Sequence, residues 1–143
     1  MASTSATDLV AHRGPPSTGD EAGSSAIEMV ILFPVTLFLV LVIVQFGIWY
    51  HAADIARAAA QQGVRTASAY GGTATAGQAQ TFAVLDENGR SLIQSSQVTP
   101  FRDGALARIT VTGRALTVVP ILHLLIRESA TAPVEAFRPP PGP

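Results

Sequence analysis

The feature that most constrains this chain is a long uncharged stretch between Met29 and Tyr50. Its only clearly polar side chains belong to Thr36 and Gln45. A helix rises about 1.5 Å per residue and the hydrocarbon core of a bilayer is roughly 30 Å thick, so about 20 apolar residues suffice to cross it. The stretch therefore predicts one membrane-spanning helix.

Two local features fit a helix in a membrane. Pro34 lies in the second turn of the apolar run, where it would kink a helix without forbidding it, because neighbouring groups re-satisfy the freed backbone in membrane helices. Trp49 and Tyr50 at the far end suit a membrane interface, where amphipathic aromatic rings are enriched.

The helical pattern continues beyond the apolar run as far as Gly71-Gly72, which would end a helix. Polar residues line one side of it: Asp54, Arg57, Gln61 and Arg65. Small residues line the other side: Ala52, Ala56, Ala59, Gly63 and Ala67. Such a stripe permits close approach of another element, so we interpret it as a helix-packing surface. A solvated helix, whose alanines reflect helix propensity alone, is the alternative.

After the glycine pair the hydrophobic period changes to two. Ala107, Ile109 and Val111 alternate with polar residues, which indicates a half-buried strand. Weaker strand candidates are residues 97–101 and 122–134, and Asp103-Gly104 is a turn signal. We therefore expect a small antiparallel three-stranded sheet after a short helix at residues 78–87, and an α+β fold class.

The expected organisation follows from these patterns. It comprises a disordered leader at residues 1–23, a transmembrane and extended helix at 24–70, a connector with the short helix at 71–96, the sheet at 97–137 and a disordered proline-rich tail at 138–143. The leader is rich in Ser, Thr, Gly and Pro and cannot offset its ordering entropy by burial. The apolar run from Leu116 to Ile126 is too short, and interrupted by Pro120, to be a second span.

A secretory signal peptide cleaved near Ala56-Arg57-Ala58 is a competing interpretation of the N-terminal half. Against it, the apolar run is longer than a usual signal core and the candidate site lies in a helical pattern. The leader also carries Arg13 against three acidic residues.

Composition argues against several functional classes. Nine basic residues against ten acidic ones, a net charge of -1, leave no electrostatic footprint for nucleic acid. The absence of cysteine excludes thiol catalysis and cysteine-ligated metals. His12, His51 and His123 have no ligating spacing, and the adjacent Asp86 and Glu87 precede a turn, where solvation is expected. We expect a protein that is not an enzyme and that uses no cofactor or metal.

The start of the helix carries a motif with two interpretations. Ser25-Ala26-Ile27-Glu28 fits the S-x-x-E capping box, in which serine caps the first turn and glutamate reaches back to a free N–H. Gly23 followed by Ser24 and, at the fifth position after the glycine, Glu28 also resembles the type IV prepilin processing motif.

The wider pattern resembles the TadE/TadG-like proteins of the tight-adherence (Flp) pilus system. The matching features are Ala26-Ile27-Glu28, Pro34, Phe46-Gly47, Gly63-Val64-Arg65 and, more loosely, the closing segment at residues 130–137. The resemblance covers residues 23–70 well and 105–137 loosely.

This resemblance implies a pseudopilin-like accessory component of pilus assembly or of a related secretion apparatus. It implies removal of the leader between Gly23 and Ser24 by a prepilin peptidase. It also implies an assembly role for Glu28, whose carboxylate would offset the charged N-terminus of a neighbouring subunit. The implied partners are the membrane, other pilin-like subunits and pilus-assembly proteins, without nucleic acid. A plain membrane-anchored binding domain, with Glu28 only a cap, is the alternative.

The charge distribution and the family resemblance predict opposite orientations of the membrane span. Only Arg13 precedes the span, whereas Arg57 and Arg65 follow it, so the positive-inside rule leans weakly towards an external N-terminus. The resemblance implies a cytoplasmic N-terminus and an extracytoplasmic C-terminal domain, which is the orientation we expect.

Overall fold

The computed structural model describes residues 19–135, with side chains described for residues 27–135. Its elements follow in the order α1 (Gly19–Ser68), α2 (Ala74–Asn88), β1 (Ile93–Arg102), β2 (Leu106–Ala115) and β3 (Leu125–Pro133). The strands form a three-stranded antiparallel sheet in the order β1-β2-β3. The predicted fold class, a long N-terminal helix followed by a small antiparallel sheet, is confirmed. Residues 1–18 of the predicted leader and the predicted tail at 138–143 lie outside the described residues.

The chain divides into two compact units, the first ending at Leu37. The described part of this unit is helical throughout and contains Pro34. The hydroxyl of Thr36 donates a hydrogen bond to the carbonyl of Leu32 at 2.9 Å, so this polar side chain is satisfied within its own helix. The second unit begins at Phe38 and holds the rest of α1, α2 and the sheet.

Helix α1 begins earlier than the sequence pattern indicated. The helix begins at Gly19 rather than Ser25, so Ser25 lies inside it and cannot be the N-cap of a capping box. Asp20 and Glu21 follow Gly19, and acidic residues favour the first turn of a helix because they complement its dipole. Gly23 therefore lies within α1. At its other end α1 stops at Ser68, just before Gly71, which has a φ of 73°.

Helix α2 is longer than predicted, because its N-cap lies in the segment that we expected to be a connector. The Oγ1 atom of Thr73 accepts a hydrogen bond from the N–H of Ala76 at 3.0 Å, an N-capping contact that starts the helix at Ala74. At the C-terminus the N–H of Gly89 donates to the carbonyl of Leu85 at 2.8 Å, which closes the last turn at the predicted Asn88-Gly89 stop.

The central strand β2 has the predicted alternation. Ala107, Ile109 and Val111 are fully buried, whereas Thr110 lies on the open face, where its hydroxyl is 3.2 Å from that of Ser129 on β3. An antiparallel sheet commonly packs one face on a core and solvates the other. Strand β1 is longer than expected, because it begins at Ile93 rather than at residue 97.

The turn between β1 and β2 forms at the predicted Asp103-Gly104. The Oδ1 atom of Asp103 accepts hydrogen bonds from the N–H groups of Ala105 at 2.8 Å and Leu106 at 2.7 Å. These donors stabilise the carboxylate and lower the pKa of Asp103.

The third strand begins later than predicted. β3 starts at Leu125, and residues 122–124 belong to the connection from β2. The predicted direction of the side chains nevertheless holds within the strand, since Ile126 is buried and Arg127 is exposed. Pro120 contributes no backbone N–H, which disfavours a regular strand in the preceding segment.

The core of the second unit lies between the inner face of the sheet and the helices. It is built of Ala52, Ala56, Ala59, Ala60, Val64 and Ala67 from α1, Leu85 from α2, and Ile93, Val98, Ala107, Ile109, Val111, Ala115 and Ile126 from the strands. The helix contributes mostly alanine and the sheet most of the branched side chains, so the helix backbone can approach the sheet closely.

Candidate functional site: the apolar helix and its packing surface

The apolar run of α1 leaves its large side chains exposed in both units. In the first unit, those from Ile27 to Leu37 are 49–73% exposed. In the second, those from Phe38 to Phe46 are 36–62% exposed, except for the half-buried Val42. Within the described residues α1 is the one helix long and apolar enough to cross a membrane, and its most apolar 18-residue window has a mean hydropathy of 2.9. Soluble proteins rarely expose a contiguous apolar surface of this kind. The exposed surface suits lipid or neighbouring apolar helices.

The two proposed processing residues and the proposed assembly residue lie near the start of α1. Gly23 and Ser24 are within the helix, and their predicted roles stay predictions. Glu28 is exposed and makes no hydrogen bond or ion pair with any other residue that the structure describes. With Ser25 inside the helix, the capping explanation of Glu28 loses its support.

Gln45 is the polar residue whose role the sequence did not reveal. Its side chain is fully buried in the second unit and bonds to the connection between β2 and β3. The Nε2 group donates to the carbonyl of Leu116 at 3.0 Å, and Oε1 accepts from the N–H groups of Val118 at 2.6 Å and Val119 at 3.2 Å. One side chain thus satisfies three backbone groups, which otherwise would be costly to bury.

Trp49 makes a second attachment one turn later. Its indole N–H donates to the carbonyl of Leu125 at 3.0 Å, and its ring packs edge-on against that of Phe46 with centroids 6.5 Å apart. The sequence predicted Trp49 at a membrane interface, and an indole that is apolar in body with a hydrogen-bonded tip suits such a position. The contact of Trp49 with β3 is visible only in the folded structure.

All the residues of the predicted helix-packing surface are buried. Ala52, Ala56, Ala59, Gly63 and Ala67 face the core of the second unit. A β-carbon added at Gly63 would clash with Thr81 Oγ1 and lie 2.7 Å from the carbonyl oxygen of Gly77. One added at Gly77 would lie 2.7 Å from the Ala67 β-carbon. The two helices therefore cross so closely that glycine is needed at both positions.

The polar side of α1 contributes one cross-element ion pair. The guanidinium of Arg57 contacts the carboxylate of Glu128 on β3 through Nε at 3.2 Å and Nη2 at 3.5 Å, and Asp54 lies 4.0 Å away. Pairs as exposed as this contribute little to stability. The pair between Arg57 and Glu128 shows which face of α1 lies next to β3.

The far end of α1 is also tied to the sheet. The Nε group of Arg102 donates to the carbonyl of Ala67 at 2.7 Å, and the N–H of Glu135 donates to the carbonyl of Ser68 at 2.9 Å. The last carbonyls of a helix have no partner within it, so these bonds cap α1 with groups from the end of the sheet.

No group of histidine, aspartate and glutamate side chains in the described part of the chain is arranged to hold a metal ion. Asp86 forms an ion pair with Arg90 at 2.8 Å in an exposed position. His51 and His123 are exposed, and His12 lies outside the described residues.

The chain was compared with protein families, curated proteins and solved structures. The family described as TadE-like protein matches residues 23–65. No curated protein and no solved structure matches the chain. The matched stretch contains Glu28, the apolar run, Gln45 and most of the small-residue packing surface. Residues 23–65 are therefore similar to the TadE-like protein family, and the resemblance predicted from the sequence is confirmed.

Proposed function

We propose that this chain is a single-pass membrane protein that acts, without catalysis, as a pseudopilin-like accessory component in assembly of a Flp/Tad-type pilus or a related secretion apparatus. The match of the TadE-like family over residues 23–65 is the observation that carries the proposal. It supports a pilus context for the very part of the chain that has the apolar surface.

The exposed surface of α1 supports assembly through the helix. Its large apolar side chains from Ile27 to Phe46 are not used in the core that the second unit builds. In a membrane this surface is available to lipid and to equivalent helices of neighbouring subunits, which pack through van der Waals contact. The sheet domain and the span thus have separate tasks: the domain is held on one part of α1, and the other part is left for partners.

Glu28 is the residue we propose to act in assembly. It is flanked by Ile27 and Met29, both exposed and apolar, and has no ion-pair partner among the described residues. A carboxylate in an apolar setting is stabilised by a paired charge. The amino terminus of a neighbouring processed subunit supplies that charge in the proposed assembly.

The mature N-terminus of the protein recovered from the membrane fraction tests the processing step. Mass spectrometry should find Ser24 as the first residue in cells with a prepilin peptidase, and an uncut leader in cells without it. A start near Met1 in both strains would leave a membrane-anchored accessory protein and contradict processing at Gly23. A start after Ala58 would mean that the span is discarded, which would refute the whole proposal.

Substitution of Glu28 tests the assembly step. Glu28→Gln keeps the size and removes the charge, so we expect loss of pilus assembly with the protein still in the membrane. Glu87→Gln, at an exposed position of α2, is the matched control and should assemble normally. Normal assembly of Glu28→Gln would favour the alternative, a plain membrane-anchored binding domain.

Orientation is part of the proposal: the N-terminus is cytoplasmic and the sheet domain is extracytoplasmic. The chain has no cysteine, so Gly104→Cys introduces a unique label site in the exposed β1–β2 turn. A membrane-impermeant maleimide should label this cysteine in cells whose outer envelope has been opened and whose inner membrane is intact. Labelling only after lysis of the inner membrane would reverse the topology.

A further inference from the structure

The β2–β3 loop, residues 116–124, has apolar side chains that the core leaves exposed. Ile121 is 85% exposed and Val118 41%, and Leu125, the first residue of β3, is 71% exposed. Val119 of the same loop is buried. Part of the loop is therefore buried, and the rest exposes apolar side chains. Such exposed apolar side chains are typical of a surface that contacts a membrane or another protein.

The hydrogen bonds of Gln45 and Trp49 place this loop beside the apolar run of α1. Three backbone groups of the loop bond to Gln45, and the carbonyl of Leu125 bonds to Trp49. Counted along the sequence from Ile27, the roughly 20 residues needed to cross a bilayer end near Phe46. With the span proposed above, this count puts Gln45, and the loop bonded to it, near the end of the hydrocarbon core.

Two free arginines lie next to the apolar residues. Arg114 and Arg127 line a shallow cavity of about 450 Å³ that also includes Leu125. Both are exposed, and neither makes a hydrogen bond or ion pair with another described residue. Arginine next to apolar side chains matches the layering of a membrane surface, where headgroup phosphates lie above acyl chains.

We infer that the β2–β3 loop inserts into the lipid bilayer beside the span, with Ile121 and Val118 among the acyl chains and Arg114 and Arg127 at the headgroup phosphates. The inference rests on the proposed membrane span. Lipid is the occupant because Gln45 and Trp49 bond the loop and the start of β3 to the part of α1 whose large apolar side chains, between Phe38 and Phe46, are exposed. The domain is then seated on the membrane at a second point.

Lipid-borne quenchers test the inference in the full chain. Because the sequence lacks cysteine, Ile121→Cys, Leu39→Cys and Gly104→Cys each carry one environment-sensitive fluorophore. Each labelled protein is reconstituted in vesicles of phosphatidylcholine and phosphatidylglycerol, with and without lipids brominated on the acyl chain. Leu39 is the control within the span, and Gly104 lies at the opposite end of the sheet, about 30 Å from the loop for a strand the length of β2.

The inference predicts loss of most of the emission at Ile121 and at Leu39 in brominated lipid, with Gly104 unchanged. The depth at Ile121 should be on the order of 5–10 Å, as for interfacial segments. Quenching at Leu39 without quenching at Ile121 would overturn the inference and leave the span intact. Shielded emission at Ile121 that brominated lipid does not quench would mean that protein, such as a second copy, covers the loop, and would also overturn it. No quenching at either site would refute the membrane span itself.

Discussion

Replacing Gln45 by leucine should release the β2–β3 loop from α1. The wild-type side chain accepts from the N–H groups of Val118 and Val119 and donates to the carbonyl of Leu116. Leucine has a similar volume and no hydrogen-bonding group, so Gln45→Leu removes all of these bonds while leaving the helix intact.

The cost can be worked from the contacts. Each lost hydrogen bond contributes about 1 kcal/mol net, so the set contributes about 3 kcal/mol. The N–H of Val119 would stay buried without a partner, at a further cost of about 1–3 kcal/mol, and apolar burial of the leucine side chain recovers about 1–2 kcal/mol. A net loss of about 3 kcal/mol corresponds to a rise of roughly 100-fold in the open population of the loop.

Amide hydrogen exchange of the full chain in detergent measures that population. The amides of Val118 and Val119 should exchange roughly 100-fold faster in Gln45→Leu, if their protection comes from these bonds. Thr36→Val is the matched control, because the Thr36 hydroxyl bonds only within its own helix. Unchanged protection at both amides would refute the attachment, and equal acceleration in Thr36→Val would show a general loss of stability instead.

Three further predictions concern the second unit. Gly63→Ala should lower the free energy of unfolding by about 1–2 kcal/mol, since overpacking against the backbone of α2 outweighs the helix propensity gained. Gly47→Ala has open space around the added methyl and should not destabilise, so equal denaturation midpoints for the two variants would contradict the close crossing. Ile109→Ala should cost about 2–5 kcal/mol in the same denaturation assay, against less than about 0.5 kcal/mol for Ile121→Ala, because only the first is buried. Similar losses of stability in the two variants would contradict the assignment of Ile109, and not Ile121, to the core. Asp103 has a lowered pKa in the folded state, so its contribution is full above the ordinary aspartate pKa of about 3.9 and is lost as pH falls through the lowered value. Asp103→Asn should flatten that part of the stability curve in denaturation series taken from pH ~6 to ~2, and an unaltered curve would argue against the turn bonds.

Local patterns predicted the elements that local forces determine. The alternation around Ile109 predicted the central strand, and the alanine stripe around Ala56 predicted the buried side of α1, because both periods report which face avoids water. The turn at Asp103 followed from its residue types. In each case the information lies within a few positions of sequence.

Where the prediction failed, another local signal or a distant contact decided the structure. Ser25 fits a capping box, but residues before it also favour helix, so α1 starts at Gly19. The N-cap at Thr73 lay in a run of small residues that looked like a connector. The partners of Gln45 are more than seventy positions away, and no local pattern contains that information.

The attachments of the sheet to both ends of one stretch of α1 have a mechanical consequence. Gln45 bonds to the loop at one end of the sheet, and at the other end Ala67 bonds to Arg102 of β1 and Ser68 to Glu135, just after β3. The helix between them is about 35 Å long. A pull on the β1–β2 turn at Gly104 is therefore spread along this length and loads the bonds in shear, so that they must yield together. A domain held at a single hinge would instead peel away bond by bond and pass little of the force to the helix.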